Sequence, residues 1–162
     1  MVNSDCGATR LRAIRSCWGD EEFMTADITV PAGLSAELAG EFVRNFYNGR
    51  VGSRLVSETE DFRVWMLTLA PGNRAEFHRH QLHYFWTAVT SGISRSRYHD
   101  GRVQETKYAV GDTRHFKFGK GKYQIHDLEN IGDTDLVFVT VESKRGAENP
   151  PLDIPRIEAD LA

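Results

Sequence analysis

From Leu55 onwards the chain is a succession of short runs rich in β-branched and aromatic residues, broken by turn residues. The spacing, about eight to twelve residues per run, restricts the fold to an all-β sandwich or barrel. Strands are expected over residues 62–70, closed by Pro71-Gly72, and over 77–80. A third is expected over 84–90, closed by Ser91-Gly92, and a fourth over 93–98. Asp100-Gly101 is a favoured hairpin dipeptide and turns the chain into a strand over 103–110. Gly111-Asp112 leads to a strand over 114–118, and the last two strands cover 123–130 and 136–142. The runs at 62–69 and 136–141 are apolar on both faces. That suits a sheet with a lined interior on one side and a further layer on the other.

The first thirty residues read as an arm with a short strand at 27–30. Ser35 is a plausible N-cap for a helix over 36–47, with Leu38, Phe42 and Phe46 on one face. Gly40 weakens that helix by about 1 kcal/mol relative to alanine, and Asn48-Gly49 ends it. The helix is expected to pad an outer face or the end of a barrel. The tail beyond Lys144 holds Asn149-Pro150-Pro151 and Pro155 and reads as an irregular arm on the surface or on a partner. The organisation is thus an arm and helix over 1–54, a barrel over 55–144 and a second arm over 145–162.

A chain of 162 residues is long enough for one domain with a real core. A net charge of −3, with both signs interspersed, leaves no basic footprint for nucleic acid and no polybasic block for a membrane surface. No apolar run approaches the ~20 residues of a membrane span, and the N-terminus lacks a signal-type apolar segment. The expected location is cytoplasmic. Cys6 and Cys17 match no zinc or redox spacing and read as reduced thiols.

Three of the six histidines, His78, His80 and His83, fall within six residues. On a strand, His78 and His80 point the same way and His83 points away. Two adjacent imidazoles can grip one metal ion through neutral ring nitrogens, and His126 is available downstream as a third ligand. Tyr84 keeps the parity of His80, Trp86 and Ala88 continue that face as pocket walls, and Phe116 and Phe118 supply further aromatic lining. Glu76 shares parity with His78 and is a candidate base at the barrel mouth. Gln124 shares parity with His126 and is a candidate supporting or ligand-binding residue. His99, beside the Asp100-Gly101 turn, is expected to be exposed, and His115 to be structural. The Gly119–Lys122 segment, GKGK, lacks the pattern of a phosphate loop and opens no helix.

The order of these features resembles the cupin superfamily of double-stranded β-helix, or jelly-roll, barrels. Its first motif has a glycine, five residues and H-x-H, as Gly72 precedes His78-Arg79-His80 here. Its second opens on a glycine, matched by Gly111, and closes on H-x3-N, matched by His126 and Asn130. Tyr84 stands at the glutamate position of the first motif. That substitution resembles a group of small bacterial cupins, including β-alanine-degradation types, with small residues such as Ser91-Gly92 following. Lys117 stands at the proline position of the second motif, and about four extra residues separate Gly119 from His126, so that loop is remodelled.

The resemblance implies an all-β jelly-roll barrel with one divalent transition metal on His78, His80 and His126. Fe(II) is favoured, with Ni, Zn, Mn or Cu as alternatives. Three nitrogen ligands leave coordination positions open for a substrate, and the missing carboxylate favours an anionic one. Tyr84 is then a ligand or a hydrogen-bond partner at the metal. The implied activities are a three-histidine non-haem iron dioxygenase, another oxidoreductase, or a redox-free isomerase or lyase. The alternative is a non-catalytic small-molecule binding or sensor cupin. The family and the two arms imply a homodimer with a small-molecule ligand and no nucleic-acid or membrane partner.

Overall fold

The computed structural model describes residues 10–12 and 27–154. Among them the elements run β1 (Arg10–Arg12), β2 (Asp27–Thr29), α1 (Ala36–Arg44), β3 (Arg54–Glu58), β4 (Phe62–Leu69), β5 (Arg74–His80), β6 (His83–Ala88), β7 (Gly92–Arg97), β8 (Val103–Tyr108), β9 (Thr113–Phe116), β10 (Gln124–Asn130) and β11 (Leu136–Ser143). Both cysteines, and Pro155 in the C-terminal arm, lie outside the described residues.

Two antiparallel sheets form the barrel. One has the order β5-β10-β7-β8 and the other β3-β4-β11-β6-β9, with β1 and β2 pairing separately. Side chains alternate between barrel and outer face, as the pleat requires. Along β4, Trp65, Leu67 and Leu69 are buried while Val64 and Met66 are half-buried. Along β11 the inward residues change in character, from Leu136 and Phe138 to Thr140 and Glu142. Leu67, Leu69, Ala88, Tyr108, Leu128, Leu136 and Phe138 pack as one apolar cluster. The barrel is therefore filled by hydrocarbon along one stretch and by polar groups along another. Gly72 and Gly111, the glycines that open the two motifs, both take positive φ (79° and 89°), a backbone that a side chain disfavours.

The second layer expected over 62–69 and 136–141 is absent among the described residues. The outer positions there, including Val64, Val139 and Val141, are half-buried. Helix α1 covers the opposite sheet instead. Phe42 and Phe46 pack with Phe77 of β5, Ile125 of β10, and Ile28 and Val30. The Ser35 hydroxyl caps the helix by accepting the Leu38 N–H at 3.3 Å. The helix ends at Arg44, three residues earlier than its apolar pattern predicts. The chain tightens there into single turns, with Asn48 N–H donating to Asn45 C=O at 2.9 Å.

The C-terminal arm lies on the barrel. Asn149 is buried, and its amide donates to the carbonyls of Gln81, Gly119 and Lys122 at 3.0–3.1 Å. Its Oδ1 accepts the Gly121 N–H at 2.7 Å, and Glu148 accepts that of Lys120. Two backbone donors of the GKGK loop are thus used internally, which removes the geometry a phosphate would need. Ile154 packs on the Val51, Leu55 and Trp65 cluster. No described helix is long and apolar enough to cross a membrane.

Candidate metal centre

His78 and His80 lie on β5 and His126 on β10, where His126 is the register partner of His78. All three are buried. Each offers a ring nitrogen, and these atoms lie within 4.8 Å of one another. The ring centroids are 4.6 Å apart for His78 and His126, and about 5 Å for the other two pairs.

The backbone sets two of the three tautomers. His78 Nδ1 is 2.8 Å from the Glu76 carbonyl and His126 Nδ1 is 2.9 Å from the Asp127 carbonyl. A carbonyl only accepts, so both Nδ1 atoms carry the proton and both Nε2 atoms present a lone pair. His80 Nε2 is 3.1 Å from His126 Nε2, and its Nδ1 is buried with no hydrogen-bond partner among the described residues. Burial keeps all three rings uncharged. It lowers His78 to about 4, and it lowers His80 and His126 well below the ordinary histidine value, with charge repulsion within the trio adding to the effect.

Aromatic rings stack outward from this cluster. Tyr84 lies on His80 (4.2 Å, 17°), Phe116 lies on Tyr84 (4.6 Å, 8°), and Tyr98 lies on His126 (5.3 Å, 16°). A cavity of about 140 Å³ opens beside them, and Trp86, Gln124 and Thr140 also line it. Burial, with the neighbouring Tyr98 and Glu142, pushes the Tyr84 phenol above its usual range, against a hydrogen bond from Gln124. Tyr84 is therefore a neutral donor. Trp86 meets Tyr108 and Phe138 edge-on and closes the cavity toward the apolar cluster.

Not every residue expected at the cavity is there. The Glu76 side chain is exposed and accepts a hydrogen bond from Asn45 at 2.9 Å, outside the barrel. The cause is a bulge: the β5–β10 register slips between His126 and Leu128, placing an extra residue in β5 between Ala75 and His78. The slip breaks the two-residue parity, so Ala75 faces in and Phe77 faces the helix. Phe118 does not line the cavity directly; its ring stacks on Tyr84 at 6.1 Å and 15°. Strand β9 ends at Phe116, and the Phe118 N–H turns to donate to His83 Nδ1 at 3.1 Å. Ala88 belongs to the apolar cluster rather than the cavity wall. His99 is half-buried, its Nδ1 accepting the Ile125 N–H, and His115 is exposed against Phe85. His83 is outside the cluster of convergent nitrogens.

Several residues around the centre were missed from the sequence. Glu41 of α1, buried among apolar side chains, pairs with Arg74 and accepts the Phe77 N–H in the bulge. Burial alone would raise its carboxyl, but Arg74 and that N–H hold it below the usual value. Arg74 also reaches Asp127 at 3.3 Å, and Asp127, fully buried, pairs with Arg97 at 2.6 Å. A glutamate on a helix gives no periodic signal of such a role. Arg114 was legible: it shares the parity of Phe116, and it lines the cavity. Glu142 is inward on β11 opposite Tyr84, and burial raises its carboxyl to about 7 despite a hydrogen bond from Trp65 at 2.9 Å.

No family's sequence model matches the chain. Over 98 residues it is 30% identical to the oxalate decarboxylase of Bacillus subtilis, a match covering 56% of this chain and 24% of that protein. The chain therefore spans about a quarter of the curated relative it matches. Among solved structures it is similar to a cupin domain from Bordetella pertussis, with TM-score 0.50 and 24% identity over 60% of this chain and 95% of the other. It also matches a double-stranded β-helix protein from Klebsiella pneumoniae, with TM-score 0.45 and 29% identity over 57% and 71% of the two chains. The sheet order and the Bordetella match agree, and the chain has a double-stranded β-helix fold like that of the cupin domain.

Proposed function

We propose that this cupin is a metal-dependent enzyme acting on a small organic anion, with one divalent transition metal held by His78, His80 and His126. The observation that carries the reading is the convergence of three uncharged imidazoles on one side of a small aromatic-walled cavity. The donor set fits a cation. Two Nε2 lone pairs are fixed by backbone acceptors, and the Nε2–Nε2 approach of 3.1 Å leaves at least one buried nitrogen unmatched in either tautomer of His80. Nitrogen-only ligation suits Fe(II), Ni, Zn, Mn or Cu, and Fe(II) is the metal of choice for the sharpest version, a three-histidine dioxygenase.

When bound, the metal would supply Lewis acidity and, if iron, redox chemistry. The protein's own groups supply orientation and exclusion of water. Tyr84 keeps its proton and donates a hydrogen bond into the cavity, with Gln124 fixing the phenol. Trp86 and Phe116 wall off solvent and hold the apolar part of the ligand. The Bacillus relative is by name an oxalate decarboxylase, which is consistent with a small anionic ligand.

Metal analysis of protein purified without added metal, followed by oxygen-electrode assays on small organic acids, tests the proposal. About one iron per chain with acid-dependent oxygen uptake supports the dioxygenase. Another divalent metal with non-oxidative turnover supports the broader enzyme. A folded chain that binds no divalent metal on titration overturns the reading and leaves a non-catalytic binding module.

A further inference from the structure

The side chains that line the cavity include two arginines, Arg102 and Arg114, and no aspartate or glutamate. The two arginines are not equivalent. Arg102 is already engaged: its guanidinium lies over Tyr98 at 4.1 Å, contacts Asp100 at 3.7 Å and donates to Gln104 at 3.2 Å. Arg114 forms no ion pair or side-chain hydrogen bond among the described residues. It sits on edge strand β9, in register with Trp86, two residues before the Phe116 ring that stacks on Tyr84. A guanidinium with free donors, set beside aromatic walls, is a fork for a planar anion.

We propose that Arg114 is the carboxylate-binding residue of this cavity, and that its ligand is a small carboxylate with an apolar body. The proposal rests on reading the cavity as a ligand site and goes further by naming the ligand class and the residue that selects it. Size narrows the class. A cavity near 140 Å³ holds a group of about the bulk of benzene, which fits a short aliphatic acid or a benzoate. Charge narrows it further. No carboxylate in the wall opposes an anion, and two guanidinium groups line it, so the cavity favours an anionic ligand. One free fork matches one carboxylate better than a phosphate dianion, which recruits several donors. Arg102 adds to the potential without being the anchor.

Calorimetric titration of the full chain with benzoate and succinate, each against its neutral amide, tests this, with metal content measured on the same samples. Both acids, or one of them, should bind at least about tenfold more tightly than the matching amide. Arg114→Gln should remove that preference, with thermal unfolding confirming a folded variant. Lys117→Gln, an exposed neighbouring charge, should leave it intact. Equal binding of acid and amide, an unchanged preference in Arg114→Gln, or tighter binding of inorganic phosphate overturns the assignment. Arg114-dependent acid binding in protein without metal supports the carboxylate subsite while refuting the metal-dependent enzyme. Full metal occupancy with no acid bound refutes the subsite alone.

Discussion

The Glu41 carboxylate, on a helix outside the barrel, accepts the N–H of Phe77 at 3.0 Å, one residue before the first inward-facing imidazole. Phe77 is part of the β5 bulge, and the Glu76 carbonyl beside it holds His78 Nδ1. Through Arg74 the same carboxylate reaches Asp127, whose carbonyl holds His126 Nδ1. One helix residue thus supports two of the three rings. Glu41→Gln should weaken metal binding by about 10- to 100-fold, measured by chelator competition. Glu37→Gln, exposed on the same helix, should not.

The ligand set has its own test. His78→Ala, His80→Ala and His126→Ala should each lose most bound metal in elemental analysis, while His83→Ala retains it. Because burial holds His78 down to about 4, protons compete with the metal only at low pH. Metal occupancy should therefore hold constant from pH 8 down to about 5 and fall as the pH approaches 4. A midpoint near the ordinary histidine value would contradict the buried, uncharged trio.

Glu142 ties stability to pH in the opposite sense. Its carboxyl is raised from 4.5 to about 7 in the folded protein, chiefly by burial. Between those values the folded state holds a proton that the unfolded chain releases. Its stabilising effect is complete below pH 4.5 and is lost as the pH rises through 7, at a total of about 3 kcal/mol. Glu142→Gln keeps an acceptor for Trp65 and should be more stable than the parent at pH 8.5 by up to that amount. The two should converge below pH 4.5 in urea unfolding.

Asn149 binds three carbonyls and one N–H, joining the arm to the 119–122 loop and to Gln81. Asn149→Ala should destabilise the chain by about 2–4 kcal/mol, since it leaves several buried groups unmatched. Hydrogen exchange should rise at Gly121 before it rises in β10.

The barrel was legible because β-branched runs and Gly-containing turns report strands directly; the pleat turns His78 and His80 to one side, and the motif resemblance, through His126 and Asn130, pointed to the third ring. Tyr84, Trp86, Phe116 and Gln124 line the cavity too, but Tyr84 does so from β6, in the other sheet and beyond a turn, so a shared strand parity with His80 is not what places it. Parity failed at Glu76 because a bulge has no signature in the residues that form it; the Phe77 N–H inside the slip is bound by Glu41, far upstream on the helix. The same long-range pairing made Asp127 and Arg74 unreadable. Phe118 leaves the wall because a strand end depends on which acceptor the next N–H finds, here His83 Nδ1.

The protons on His78 and His126 are held by main-chain carbonyls rather than by side chains. Grip and selectivity are therefore separately heritable in this barrel. A lineage could exchange Arg114, Phe116 or Gln124 to accept a new molecule, and the two nitrogens would still face the same point, because no mutation in the wall edits a peptide group.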